Sequence, residues 1–412
     1  MVQSDIADCL THLVSDAEIR KAVFDGKASS SPGPDGYNFH FYKKCWHIIG
    51  PKVCKAVKSF FISGIMPTGI KATALALIPK TKHASSFNDF RPIALCNVIY
   101  KIISKIIANR LKLVMPHIVK DNQSGFIKSR ISTDHIILAQ EILSYAAKGK
   151  KSIFCAKFDI RKAFDTISRE FILARLLQKG FHPLFISWIK SCIFDVKFSI
   201  VIKGSLEGYF SSLAGLRQGC PLIPYLFCIA MDAFSSILDD NLFVGAHFKD
   251  FRISHLLYAD DLLVFGEASP RNCNNLLKII NIFTKASGLH INLDKSSLLL
   301  PKHLNIATDI CRSLSLSYKE SITYLGVPIF FRKLNISDIS PLIDGIIGKL
   351  SGWNAKLLSF VGRLQYLKFT MLNSIAYWIR GATIPKAALN FSEEWHPNFY
   401  FLEICLLGKN CI

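Results

Sequence analysis

The stretch HLLYADDLLVFG, residues 255–266, sets two adjacent carboxylates, Asp260 and Asp261, inside an otherwise apolar run. A third acid, Asp159, ends the short apolar stretch of KSIFCAKFDIRKAFD. Burying an ionised carboxylate is costly unless it is paired, and two side by side also repel each other, so a positive counterpart is expected. A cluster of three carboxylates suits hard divalent cations such as Mg²⁺, which prefer carboxylate oxygens together with substrate phosphate. Two such ions about 4 Å apart stabilise both the attacking and the leaving oxygen of a phosphoryl transfer. The same Asp pair also serves as a plain hairpin turn between HLLYA and LLVFG, because Asp tolerates turn geometry. Taken alone, these residues leave both readings open.

The elements that must position these acids are legible in outline. The apolar run before Asp159 reads as a strand passing straight into a helix, and the Asp260–Asp261 pair reads as a hairpin apex. RPIALCNVIYKIISKIIANRLKLVM carries Val98, Ile99, Ile102, Ile103, Ile106 and Ile107 at helical spacing, with Lys101, Lys105, Arg110 and Lys112 on other faces. STDHIILAQEILSYAAKG predicts a second helix, capped by Ser132 or Thr133 and closed by Gly149. CPLIPYLFCIAM is too short to span a bilayer and stops at Asp232, so it reads as a buried core helix. Helices and strands interleave without a steady βαβ rhythm, which predicts an α+β fold with helices on one face of a sheet.

Composition bounds the function. The chain of 412 residues is 50% hydrophobic and 19% charged, as expected of a globular protein with a sizeable core. Its 50 Lys and Arg exceed 30 Asp and Glu, giving a formal net charge of +20. That excess points to a polyanionic partner, nucleic acid first, because basic residues release counterions from a phosphate backbone. No secretory signal or membrane-spanning run is read, so an intracellular, soluble protein of nucleus or cytoplasm is expected, with no membrane partner and no obligate protein partner. The 12 cysteines are scattered without C-x-x-C spacing, which disfavours a zinc site.

In their order along the chain, KFDIRKAFD, GLRQGCPLIP, LLYADDLLVFG, SGLHINLDKS and YLGVPI resemble the motifs of reverse transcriptases, most of all those of plant non-LTR (LINE-type) retrotransposons. SPGPDGYNFHFYKKCW, ALIPKTKHASSFNDFRPIALCNVIYKIISKIIANRLK and SGFIKSRISTDHIILAQEIL resemble the fingers of the same family, and the likeness covers about residues 20 to 385. The resemblance implies a right-hand polymerase fold with fingers, a palm built on a small antiparallel sheet, and a partial helical thumb. The expected division is an N-terminal extension and linker at 1–55, fingers and palm at 56–330, and partial thumb with an unrelated tail at 331–412. The implied activity is RNA-directed DNA polymerisation, with an RNA template, a DNA primer and dNTPs as partners and two Mg²⁺ ions, or Mn²⁺, as cofactor.

Carried over residue by residue, the resemblance makes Asp159, Asp260 and Asp261 the metal ligands. Lys80 and Arg91 would neutralise the triphosphate, a task suited to a point charge and a bidentate fork. Phe164 would sit under the incoming sugar and exclude a 2′ hydroxyl. Gln218 and Gly219 would contact nucleotide and template, Gly allowing close backbone approach. Lys295 would act as general acid near the leaving pyrophosphate.

Two positions depart from the family pattern RQGDPLSP, since Cys220 replaces an acid and Ile223 a serine. Both lost residues are expected to be caps of the following helix. These departures motivate the alternative of a decayed, nucleic-acid-binding remnant. A maturase-like splicing factor would need a downstream basic domain. With no endonuclease, Cys/His cluster or ribonuclease H segment legible, a truncated copy is expected.

Overall fold

The computed structural model describes residues 10–381 except 240–241, 249–250, 305–306, 341–343, 346–357, 367 and 370–371. Its centre is a sheet in the order β11-β10-β3-β9-β8. The strands are β3 (Ile153–Arg161), β8 (His255–Tyr258), β9 (Asp261–Glu267), β10 (His290–Leu299) and β11 (Ser317–Tyr318). All pairings are antiparallel except the edge pair β10–β11, which is parallel. A second sheet, in the order β2-β1-β4-β5, comprises β1 (Thr73–Pro79), β2 (Phe90–Cys96), β4 (Lys197–Ile202) and β5 (Ser205–Ser211). Two hairpins complete the strands: β6 (Ala246–Phe248) with β7 (Phe251–Ile253), and β12 (Ile322–Tyr324) with β13 (Val327–Ile329).

Side-chain alternation along β3 explains how the central sheet is covered. Phe154, Ala156, Phe158 and Ile160 share one face and enter the main core with the helices Ile223–Asp239 and Pro270–Ser287. On the other face Ile153 and Cys155 are apolar, and they join a second core with helix Ser132–Lys148, Tyr324, Val327 and Trp378. Further along that face come Lys157 and Asp159, which are only half-buried. The second core therefore covers one end of the sheet and stops where the strand becomes charged. Helices on one face alone were expected; instead helix Ser132–Lys148 packs on the second face, because that face is apolar for half its length.

The helical readings hold with adjusted ends. The basic stretch forms β2 and then the helix Val98–Ile118. Helix Ser132–Lys148 is preceded by Ile131 at its cap, so Ser132 lies inside the first turn, while Gly149 does follow its end. Arg110, expected on a solvated basic face, is buried. It forms a two-pronged pair with Glu18 at 2.9 and 3.0 Å and donates to the carbonyls of Leu10 and His12. It thus ties helix Asp16–Phe24 to helix Val98–Ile118, and apolar residues between 10 and 63 pack into the main core. Of residues 349–369, within the stretch expected as a partial thumb, 349–357 and 367 lie outside the described residues, and Phe360–Tyr366 is helical.

Behind the sheet, Asp232 is a fully buried acid on helix Ile223–Asp239. It accepts from Arg175 at 2.8 Å, from the Lys120 backbone N–H at 2.9 Å and from Lys179. Burial pushes its carboxyl up, but Lys179, the Lys120 amide and Arg175 together outweigh burial and hold it below the ordinary carboxylate value. Removing one member of such a buried set strands the others. Asp232→Asn should therefore destabilise the protein by roughly 3 to 5 kcal/mol, visible as a lower urea midpoint at unchanged slope.

Candidate functional site

The register between β3 and β9 brings the three acids to one end of the central sheet. Phe158 pairs with Leu262, and the next residues on the two neighbouring strands are Asp159 and Asp261. On the other flank Asn292 of β10 pairs with Asp159, whose backbone N–H donates to Ser296 Oγ at 3.0 Å. Asp260 stands at the apex of the β8–β9 hairpin, between the paired residues Tyr258 and Asp261. All three lie past the edge of the second core, where the face opens.

The apex is a two-residue turn whose first residue, Ala259, has φ of +56°. Turns of this kind normally place Gly there, so a Cβ-bearing residue is strained and must be held by its surroundings. The holder is the segment Asn122–Gly125. Gln123 Oε1 accepts from the backbone N–H of Ala259 at 2.9 Å and from that of Gly125 at 2.8 Å. Leu257 donates to the Asn122 carbonyl, and its own carbonyl accepts from Ser124. A Cβ on Gly125 would lie 2.5 Å from the Ala259 nitrogen, so this close approach requires glycine. Sequence reasoning missed Gln123. Its signal was one of two adjacent amides, two residues before a glycine in DNQSGF, which carries nothing until the hairpin is folded against it.

Charge at the site is unevenly balanced. Asp261 is paired with Lys157 at 3.0 Å, and Lys157 also donates to the Thr323 carbonyl at 2.9 Å. The Asp260 carboxyl is pushed up, first by partial withdrawal from water and then by the charges of Asp261 and Asp159, with Lys157 opposing. The three carboxylates therefore feel one another. That all-oxygen donor set suits a hard divalent cation, although among the described residues no three ligands stand close enough to hold an ion as they are. Beneath them the Tyr324 hydroxyl is buried without a partner, and Asp261 contributes to raising its pKa after burial.

The remaining residues singled out from sequence lie on several elements. Phe164 is half-buried in the short helix Ala163–Thr166, its ring 4.8 Å from that of Phe227. Gln218 donates to Asp165 at 3.0 Å, and its carbonyl accepts from Ala94 of β2 at 2.8 Å. Gly219 has φ of +107° and stands against the Ala94 carbonyl, where a Cβ would come within 3.2 Å. Lys80, at the end of β1, is exposed and donates to the Asn88 carbonyl at 2.8 Å. The Asp165 carboxyl is pushed up by burial, with Gln218, Lys162 and Lys80 pulling the other way. Arg91 is exposed on β2 opposite Ile78 of β1. Lys295 is exposed on the bulge of β10 between Asn292 and Ser297, beside Asp159. Of these residues Gln218 bonds to Asp165, and Lys295 lies on the bulge that follows Asn292, the partner of Asp159.

Cys220 and Ile223 do not occupy cap positions. The helix opens at Ile223, which is buried in the main core, and Leu222 precedes it. Cys220 is turned inward, its Sγ 3.1 Å from the Tyr100 hydroxyl. The cap expectation fails because the bond from Ala94 to Gln218 draws this loop toward the second sheet and points residue 220 into the core.

A family model described as reverse transcriptase (RNA-dependent DNA polymerase) matches residues 78–329, more than half of the chain. The chain belongs to the reverse transcriptase family. It is 28% identical over 356 residues to an uncharacterized protein of transposon TX1 from Xenopus laevis, covering 85% of this chain and 27% of that protein. It is 29% identical over 276 residues to a retrovirus-related Pol polyprotein from a type-2 retrotransposable element of Drosophila melanogaster, covering 65% of this chain and 24% of the relative. This reverse transcriptase chain therefore spans about a quarter of the length of those curated relatives. Among solved structures, telomerase from Candida albicans in complex with a fragment of telomeric RNA is 13% identical, with a TM-score of 0.44, covering 87% of this chain and 62% of that one. Among the described residues no helix is long and apolar enough to cross a membrane.

Two outcomes follow for the apex of this reverse transcriptase. Gln123→Ala leaves the amides of Ala259 and Gly125 without their acceptor and should cost roughly 1 to 3 kcal/mol, read in denaturant melts. His255, at the start of β8, is fully buried against Ser235 and Ser254, and burial pulls its pKa down to about 4 despite the nearby charges of Asp239 and Asp232; Lys120 and His135 reinforce the fall. A depressed histidine contributes stability above its unfolded pKa and loses it as pH falls. Stability should therefore decline from about pH 6.5 toward pH 4 in the native protein, and His255→Gln should flatten that decline in urea melts across the window.

Proposed function

We propose that the chain is the polymerising part of a LINE-type retroelement, transferring deoxynucleotides from dNTPs to the 3′ hydroxyl of a DNA primer on an RNA template. The observation that carries this reading is that Asp159, Asp260 and Asp261 come together at one end of the central sheet, with Gln218 bonded to Asp165 on the turn that follows Asp159. The chain's net charge of +20 suits a nucleic-acid duplex, and its family supplies the reaction class. The plant affiliation rests on motif wording, while the two relatives named above come from animals.

Asp159, Asp260 and Asp261 would hold Mg²⁺, with Mn²⁺ as substitute, and Asp261 would exchange its pairing with Lys157 for the ion. When bound, such ions supply positive charge at the attacking 3′ oxygen and the leaving pyrophosphate. Lys80 and Arg91 lie on the second sheet, where they would neutralise the triphosphate. Phe164, supported from behind by Phe227, would lie under the sugar and favour deoxynucleotides by excluding a 2′ hydroxyl. Gln218 and Gly219 would bound the nucleotide on the side of β2. Lys295, on the bulge beside Asp159, would deliver a proton to the departing pyrophosphate.

Primer extension on poly(rA)/oligo(dT) with Mg²⁺ or Mn²⁺ tests the reading. Asp260→Asn removes one charge while preserving shape, and should lower extension by at least about 100-fold while template–primer affinity at fixed salt stays within about twofold. Extension that persists in this variant would show that the hairpin aspartates are not the reacting centre.

A further inference from the structure

The loop Gly215–Cys220 is stitched to the molecule on two sides. Toward the central sheet, Gly215 donates to the Ile167 carbonyl at 2.8 Å, Leu216 to that of Phe164 at 2.6 Å, and Gln218 Nε2 to Asp165. Toward the second sheet, beyond the contact of Gln218 with Ala94, the fastening is one side chain, Arg217. It is 6% exposed, and its Nη1 donates to the Lys71 carbonyl at 3.1 Å and to Thr73 Oγ1 of β1 at 3.2 Å. Its Nη2 donates to the Cys192 carbonyl in helix Pro183–Ile193, and the guanidinium lies 3.7 Å from the centre of the Tyr100 ring.

Among the described residues no carboxylate pairs with Arg217. Cys96, Cys192, Cys220 and Tyr100 surround it. Burial pushes the Cys192 thiol and the Tyr100 phenol up, so both stay neutral at pH 7 and offer dipoles instead of a counter-charge. A buried guanidinium held by carbonyls, a hydroxyl and a ring face depends on the geometry of its fork, because no opposite charge would follow it if it moved. Any sliding of β1 past the loop leaves buried donors and carbonyls unpaired.

We propose that Arg217 is the positioning residue of the nucleotide site, fixing Gln218 and Gly219 at the height of β1 and so setting the gap between the two sheets. It touches neither nucleotide nor metal and acts through its two neighbours. This rests on the polymerase reading above. A lysine at 217 keeps the charge but reaches one partner at a time and cannot stack flat on Tyr100, so the loop would be held less firmly against β1.

The test is Arg217→Lys in the full chain, with Thr73→Val as a milder second variant that removes one acceptor. Arg217→Lys should raise KM for dTTP by about tenfold or more while kcat stays within about threefold, and Thr73→Val should shift KM the same way by a smaller factor. Amide hydrogen exchange should quicken at residues 215–220 and 73–75 in both variants while the central sheet stays protected. Unchanged KM and unchanged exchange would overturn the proposal, as would exchange that rises evenly over the whole chain. If Arg217→Lys fails to fold, Thr73→Val decides by the same two readouts. Wild-type protein that extends no primer would sink the polymerase reading, and the exchange pattern would still judge the role of Arg217.

Discussion

The antiparallel register of β3 against β9 is the constraint on which the site depends. Side chains alternate with period two, so a slip of one residue would turn Asp159 into the main core and Phe158 toward the cleft. The register is held because both faces of β3 are specified: Phe154, Ala156 and Phe158 belong to one core, and Ile153 and Cys155 to another. Once those apolar residues are buried, Lys157, Asp159 and Asp261 have no place except the uncovered end of the second face. The burial of the core therefore chooses the location of the charges.

Charge repulsion at that end is balanced by devices of different kinds. Lys157 shares a strand with Asp159 and pairs with Asp261, so one charge is met locally. Asp260 is left less balanced, on a turn whose backbone is itself strained at Ala259. The strain persists because Gln123 and Gly125 over-determine the apex from the adjoining segment. An acid on a strained, clamped turn is held in place by its surroundings and not by its own backbone preference. Asp232, by contrast, is fully matched by Arg175, Lys179 and Lys120, and serves only to join helices behind the sheet.

A loop joins the two sheets, which also share the main core. Residues 215–220 bond to the turn that follows Asp159 and to both β1 and β2, so this loop ties the acid-bearing sheet to the second sheet. Cys220 belongs to this junction. Its side chain completes the surroundings of Tyr100 and Arg217, which gives the departure from the family pattern a packing context in place of a lost helix cap.

By itself the sequence determined the elements and the chemistry they carry. Helical spacing from Val98 to Ile107 marked a helix, apolar runs marked the strands about Asp159 and Asp260, and the ordered motifs pointed to the reverse transcriptase family, because these signals are local and need no partner to be read. Tertiary structure decided what touches what. Gln123 gains its role only when Asn122–Gly125 lies along β8, with Gln123 136 residues from Ala259 and in no local pattern with it. Arg110, similar in sequence to any solvated cation on a helix face, is buried because Glu18 and two carbonyls from the N-terminal segment close over it. Arg217 reads as one basic residue before a motif until Thr73, Cys192 and Tyr100 converge on it from three other elements. A polar group's meaning depends on whether partners arrive to replace water, and those partners come from distant parts of the chain.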